Sequence, residues 1–301
     1  MIKKLDDEFA YHTQESAPYF EGWYIKVVND ELSFAVIIGI SMTKKGKNAF
    51  IQTNSTLCPS TYTSYEEEDI QIQHDPFKLQ IGRTILEQYQ LNMNLENGLH
   101  CHLYFDKLTK LKGNDYMPTI MGPFSYLKHM ECVHAIISLH HFVRGKIMFG
   151  SHVYELPNAI GYMEKDRGKS FPSSYLWYQS NHCGLSDTSF FLSIARIPLM
   201  VGSFQGNICV LMIEGKQYRF ASYLGCRVSK RKDVYILKQY PYKLLVKITC
   251  VHAEKLKAPK MGDMSNEVLE SLDGEAIVHL YRGNQKLYQL HFIKGGYELF
   301  E

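Results

Sequence analysis

Apolar and polar residues alternate along this chain with a period of two, and the pattern recurs in both halves. Leu99, Cys101, Leu103 and Phe105 interleave with His100, His102 and Tyr104. Leu244, Val246, Ile248 and Cys250 interleave with Leu245, Lys247, Thr249 and Val251, and Ala276, Val278 and Leu280 with Glu275, Ile277 and His279. A strand sends successive side chains to opposite faces, so each run presents one apolar face. Residues 18–28 and 33–40 flank an Asn29-Asp30 turn as a hairpin, Ala49–Gln52 opens a third strand, and Tyr62–Tyr65 makes a fourth. Helical periodicity has one candidate, Asn266–Leu272, flanked by Ser265 and Gly274. An all-β chain is expected.

The halves also echo each other. Trp23-Tyr24 matches Trp177-Tyr178, and Ser33-Phe34 matches Ser189-Phe190. Each half closes on a stretch with an Arg-Gly turn and a terminal Tyr-Glu-Leu, ending at Leu156 and at Leu299. Four matches in one order predict two tandem antiparallel β-barrels or sandwiches, over 1–157 and 158–301. At 301 residues, each half is long enough for its own core. The boundary is expected near Pro157-Asn158, which sets the charged stretch that follows at a junction, where pockets often form.

Composition excludes several partner classes. With 33 Lys+Arg against 31 Asp+Glu the chain is nearly neutral, which argues against a broad nucleic-acid or anionic-membrane surface. Seven scattered cysteines with no C-x-x-C favour reduced thiols and a cytoplasmic location. No apolar run follows the first lysines, so no secretory leader is expected. The apolar run 197–213 is broken by Pro198, Gly202, Gln205, Gly206 and Asn207, so no membrane span is expected. G-x-G-x-x-G, G-x-x-x-x-G-K-[ST], H-E-x-x-H and G-x-S-x-G are all missing, and no cofactor is predicted. His100/His102 and His140/His141 have the spacing of metal-ligand pairs, but such pairs are more often surface residues, and no metal is predicted. The basic run Arg227, Lys230, Arg231 and Lys232 beside Asp233 lacks a glycine cradle or helix start and reads as a solvated hairpin tip.

Two stretches carry chemistry. Gly161–His182 opens with Glu164, Lys165, Asp166, Arg167 and Lys169, closes that cluster with Phe171-Pro172, and continues into the aromatic strand Tyr175–Tyr178 and the polar run Gln179–His182. The charges fit a solvated turn, a salt-bridge network between domains, or an acidic site. Met121–His141 contains Glu131 and His134 three apart before an apolar strand. A carboxylate near an imidazole holds its tautomer and makes a usable proton donor; equally, Glu131 fits a turn cap and His134 a satisfied barrel residue.

These stretches resemble the tocopherol cyclases and their bacterial relatives. The family carries G-Y-x-E-K-x-W-G-x-x-F-P-x-x-W-x-W-x-Q-x-N, which this chain matches from Gly161 to Asn181 except for Arg167 and Tyr175 at two Trp positions. Gly122, Pro123, Phe124, Met130, Glu131, Cys132, His134, Ser138 and His141 are similar to a second family motif, with Leu139 in place of Met. Pro18–Lys26 looks like the family's opening P-Y-F-E-G-W-Y-x-K, and 256–274 is similar to a weaker late segment. The resemblance runs from about residue 18 to the C-terminus. It implies two lipocalin-like barrels and cofactor-free cyclisation of a prenylated quinol, begun by protonating a double bond. Glu131, His134, Glu164 and Asp166 are then the candidate acids. Trp23, Tyr24, His141, Lys165, Arg167, Phe171, Trp177, Gln179 and Asn181 are candidates to bind an apolar, isoprenoid-like or polyketide-like molecule. A non-catalytic carrier or sensor, and a purely structural barrel pair, remain competing readings.

Overall fold

The computed structural model describes residues 9–12, 16–127, 130–198 and 202–301. Residues 1–8, on which the expectation of no leader rested, lie outside them. Among the described residues, the only helical segments are three 3-10 turns of three to five residues. Among the same residues, no helix is long and apolar enough to cross a membrane. The predicted helix at 266–272 is instead part of a long strand, in which buried Val268 stands between exposed Glu267 and Leu269, the alternation of a strand.

The first sheet contains β1 (Tyr19–Val28), β2 (Ser33–Thr43), β3 (Gly46–Ser55), β4 (Thr61–Tyr65), β5 (Ile70–His74), β6 (Phe77–Ile81), β7 (Thr84–Glu87), β8 (Gln90–Asn94), β9 (Leu99–Asp106), β10 (Cys132–Phe149), β11 (His152–Glu155) and β12 (Ala159–Gly168). Its strand order is β4-β3-β2-β1-β12-β10-β9-β8-β7-β6-β5, antiparallel throughout, with β11 beside β10. Laid flat, eleven strands would set the two ends about 48 Å apart. Yet β4 ends at Tyr65 and β5 begins at Ile70, a connection that reaches at most about 18 Å. The sheet therefore curls into a barrel. Trp23, Ile25, Val27, Phe34, Val36, Ile38, Leu103, Phe105 and Met163 fill its interior.

The second sheet contains β13 (Tyr175–Ser180), β14 (Ser189–Pro198), β15 (Ser203–Ile213), β16 (Lys216–Ala221), β17 (Arg227–Arg231), β18 (Val234–Gln239), β19 (Tyr242–Thr249), β20 (Glu254–Lys260), β21 (Asp263–Arg282) and β22 (Gln285–Phe300). Its order is β16-β15-β14-β13-β22-β21-β19-β18-β17, with β20 beside β21. Its ends, at Ala221 and Arg227, are again joined by a few residues. Leu176, Tyr178, Phe190, Leu192, Leu211, Leu244, Val246, Val278 and Phe292 fill this barrel. The basic run at 227–232 is the β17–β18 hairpin, as read from the sequence.

The boundary expected at residue 157 falls instead after Phe171, and 256–267 belongs with the first unit. The reason is β12, which pairs with β1 and β10 and closes the first barrel. The repeat is real but its register differs from the sequence matching. β1 takes β2 and β12 as neighbours, and β13 takes β14 and β22. Setting Ser33-Phe34 on Ser189-Phe190 then places Gly161 on Gly295 and Glu164 on Glu298. Both glycines admit a neighbouring ring where a Cβ would clash, His141 in one barrel and Tyr178 in the other. In this register Trp23 is equivalent to Leu176 and Tyr24 to Trp177. Trp23 points inward, whereas Trp177 takes the outer face, with Leu176 and Tyr178 inside. A one-residue slip in a strand exchanges faces, which is why matching the tryptophans misled. The terminal Tyr-Glu-Leu matched for the same superficial reason, since Tyr154–Leu156 falls on Tyr288–Leu290.

One end of the first barrel is filled by its own chain. The Trp23 indole donates to the Phe9 carbonyl at 2.9 Å and stacks on Phe77. Phe9 packs edge-on against both rings. Beneath them the Lys165 ammonium pairs with Glu21 at 2.9 Å and donates to the Ala10 carbonyl. His12 and Tyr19 complete the partners of Glu21. Burial alone would raise the Glu21 carboxyl, but Lys165, His12 and Tyr19 outweigh it and hold it at about 2, down from 4.5.

Removing one member of a buried pair leaves the other charge uncompensated. Glu21→Ala is expected to lower unfolding free energy by about 3–5 kcal/mol, and the double change Glu21→Leu/Lys165→Met to recover most of that. Urea denaturation checks both. Because the Glu21 carboxyl is depressed on folding, its contribution is present at neutral pH and is lost as pH falls from about 4.5 to about 2. Glu21→Gln is expected to be less stable at pH 7 and to lose less between those limits.

Candidate functional site

The charged run Glu164–Arg167 is neither a turn nor a single cluster. It lies within β12, and the pleat divides it. Tyr162, Glu164 and Asp166 take the outer face, while Met163, Lys165 and Arg167 take the inner one, opposite Ile25, Trp23 and Glu21. The neighbouring β10 sets His134 opposite Asp166 and Ile136 opposite Glu164.

The outer face thus assembles an acid–imidazole cluster. His134 Nδ1 lies 2.9 Å from Asp166 Oδ1, and His134 Nε2 lies 3.4 Å from Glu164 Oε2. A carboxylate only accepts, so the Nδ1–H donates to Asp166 and fixes the ring. The Tyr162 hydroxyl donates to Glu164 Oε2 at 2.6 Å, and the Cys132 thiol lies 3.6 Å from Asp166 Oδ1. Side-chain exposures of 12% for His134, 6% for Glu164 and 20% for Asp166 leave the cluster shielded yet reachable at its Asp166 end. Burial, followed by the charges of Glu164 and Asp166, pushes the Tyr162 hydroxyl well above its ordinary range. Burial and Asp166 do the same to the Cys132 thiol. Both stay protonated, so the ionisable members of the cluster are one imidazole and two carboxylates.

Aromatic residues border it. Tyr24 stands opposite Glu164 on β1 and is buried. Phe20, on the same face, meets Phe171 edge-on at 5.5 Å. Tyr24 and Phe171 are among the candidate ligand-binding residues, whereas Phe20 and Tyr162 are not. The signal for Tyr162 is its place two residues before Glu164, and so on the same strand face. The donor atoms of His134, Glu164 and Asp166 all lie within 4.8 Å of one another, the one such three-donor group among the described residues that a cation could bridge. His100 and His102 gather no third donor.

The other predicted site residues fall elsewhere. Glu131 lies just before β10, and its carbonyl accepts from the Lys169 and Ser170 amides. Its carboxyl has no hydrogen-bond partner among the described residues and is raised by burial. His141 is inside the first barrel, fully buried against Phe105, with Nδ1 on Ser138 and Nε2 facing Gly161. Burial and then His140 push its pKa down to about 3, so it is neutral. Trp23, Lys165 and Arg167 are on the opposite face of the sheet from the cluster. Trp177, Gln179 and Asn181 belong to the second unit, along one face of β13 and the residue after it, and all three are buried.

A sequence profile of the family described as tocopherol cyclase-like matches residues 112–291. Among curated proteins there is no match. The fold is shared with a crystal structure from Nitrosomonas europaea assigned to AttH, at 10% identity and a TM-score of 0.60, covering 99% of this chain and 96% of that one. CghA gives 9% identity and a TM-score of 0.56, covering 94% and 88%, and its complex with Sch210972 gives 0.58. Kievitone hydratase from Nectria haematococca gives 9% identity and 0.51, covering 99% and 95%.

The electrostatics of the cluster are open to test through Cys132. Asp166→Asn removes both a neighbouring charge and the acceptor of the thiol. Alkylation of Cys132 by iodoacetamide, followed by site-resolved mass spectrometry near pH 8, is expected to be slow in the parent and several-fold faster in Asp166→Asn. Labelling of Cys58 should not change. Equal rates at Cys132 in both proteins would mean that Asp166 does not set its thiol.

Proposed function

Because the chain belongs to the tocopherol cyclase-like family, we propose that it catalyses a cofactor-free, proton-initiated cyclisation or isomerisation of an apolar, prenylated or polyene-like molecule, and that the His134–Glu164–Asp166 cluster is the acid. The observation that carries this reading is the imidazole held between two carboxylates on a shielded, aromatic-bordered face. Protonated His134 gains an ion pair at each ring nitrogen. Asp166 fixes the ring through Nδ1, which leaves Nε2 and the Glu164 carboxyl to share the proton that is delivered.

The step balances within the substrate. The acid adds a proton to one carbon of a double bond, and the carbocation formed at the other is captured by a hydroxyl oxygen of the same molecule. That oxygen then returns its proton to the His134–Glu164 pair. Cation–π contact with Tyr24 and the Phe20–Phe171 pair stabilises the positive charge, and exclusion of water prevents its hydration. Tyr162 holds the Glu164 oxygen that it donates to. Glu131, whose carboxyl bonds to none of these groups, has a lesser part. The seven free cysteines accord with a reducing, cytoplasmic setting.

A panel of prenylated quinols and polyenes, assayed for binding and turnover with and without a chelator, tests the proposal. His134→Ala and Glu164→Gln are expected to bind as the parent does and to lose turnover by about 10²–10⁴, the range of general acid catalysis. Glu131→Gln is expected to lose far less. Binding without turnover in the parent would favour a carrier. Loss of turnover on chelation would move the chemistry to a cation held by the same three residues.

A further inference from the structure

The two barrels differ at equivalent ends, and the difference leaves a cavity. In the first barrel that end is occupied by Trp23, by the Glu21–Lys165 pair and by Phe9 from the preceding segment. In the second, the equivalents of Glu21, Trp23 and Lys165 are Ser174, Leu176 and Leu299. None of these is long enough to cross the opening. The result is a cleft of about 720 Å³ at the mouth of the second barrel, lined entirely by that unit's own residues. This volume is in the range that encloses small organic ligands.

The chemistry of the lining is graded from floor to rim. Leu176 and Ile194 are buried members of the barrel core and form an apolar base. Tyr235, packed against the barrel core, supplies an aromatic wall. The charged side chains of the lining are Arg196 and Lys230 against Glu301, and all three are exposed. Lys230 lies over the Tyr235 ring at 4.9 Å, which anchors an ammonium at the edge. Arg196 and Lys230 place N–H donors at this rim where a carboxylate head group could accept.

We propose that the mouth of the second barrel is a binding site for an elongated apolar molecule bearing a carboxylate, with the chain directed toward Leu176 and Ile194 and the head group at Arg196 and Lys230. The site shares no residue with the His134–Glu164–Asp166 cluster and goes beyond the acid chemistry assigned to it. The first barrel indicates what such an opening accepts, since its own chain places aromatic rings there.

The test uses the intact protein and cis-parinaric acid, an 18-carbon fluorescent polyene carboxylate, with its methyl ester as the uncharged control. The parent is expected to bind the acid more tightly than the ester. Arg196→Ala and Lys230→Ala alter exposed positions and are each expected to weaken the acid by about three- to fivefold while leaving the ester unchanged. Leu176→Trp, which restores the residue type found in the first barrel, is expected to weaken both probes at least tenfold. Circular dichroism and thermal unfolding establish that each variant is folded. The rim and Leu176 variants locate the bound probe at this mouth, since none of these residues belongs to the proposed acid cluster. Absence of binding in the parent overturns the proposal. So does a folded Leu176→Trp that binds normally, or rim variants that weaken acid and ester alike.

Discussion

The pleat of β12 is the constraint on which the first unit depends. Five consecutive positions, Tyr162 to Asp166, alternate between two environments that have little in common. On one side, Lys165 closes a buried ion pair with Glu21 under Trp23. On the other, Glu164 and Asp166 hold His134. Neither arrangement tolerates a shift of one residue, because a slip would send carboxylates toward Glu21 and an ammonium toward the imidazole. Gly161 fixes the phase from one end, since the His141 ring occupies the space where a side chain would begin. The pairing of β12 with β1 and with β10 fixes it from both edges.

Burying charge on both faces of one strand is tolerable only where each group meets a partner. Inside the barrel, Glu21 has a cation, an imidazole and a phenol, enough to overcome its desolvation. Outside it, each carboxylate accepts from a neighbour, Glu164 from Tyr162 and Asp166 from His134. The inner network is spent on holding an end of the barrel shut. The outer one retains exposure at Asp166, so it can meet a reactant. The same motif therefore supplies scaffold and the proposed acid from adjacent residues, and only the pleat separates them.

Much of this was legible in the sequence. Period-two runs such as Leu99–Phe105 gave their strands and their inward faces, because alternation is a local property. The repeat was legible too, but not its register, since Tyr-Glu-Leu and Trp-Tyr recur on non-equivalent positions and only strand pairing shows which recurrence is structural. The boundary was misplaced because Pro157-Asn158 interrupts what is nearly one continuous path from β11 to β12. Charge misled most. Four charged residues in a row fit a turn, a salt-bridge network or an acidic site, and nothing local reveals that partners at residues 10, 21 and 134 hold them within a strand. The pairing of His134 with Asp166 joins segments about thirty residues apart, and that of Lys165 with Glu21 is far longer, so neither was recoverable from spacing. Conversely, Glu131 stood beside His134 in sequence yet its carboxyl is not bonded to it, because His134 is turned toward β12.

The order of strands in the first sheet also governs how the molecule comes into being. β1 lies between β2 and β12, so one of its edges has no mate until Gly168 has been synthesised. At typical rates of about 5–20 residues per second, that wait is on the order of ten seconds. During it a ten-residue strand, later buried at every position, has only the β2 side to shelter it. A nascent chain in this condition is a natural client for a chaperone and a hazard without one. The wait also bears on the proposed site. Every member of the acid cluster comes from β10 or β12, the last large strands of that barrel to emerge, so no fragment that ends before them carries a partial site. The cluster is complete only when β12 pairs with β10.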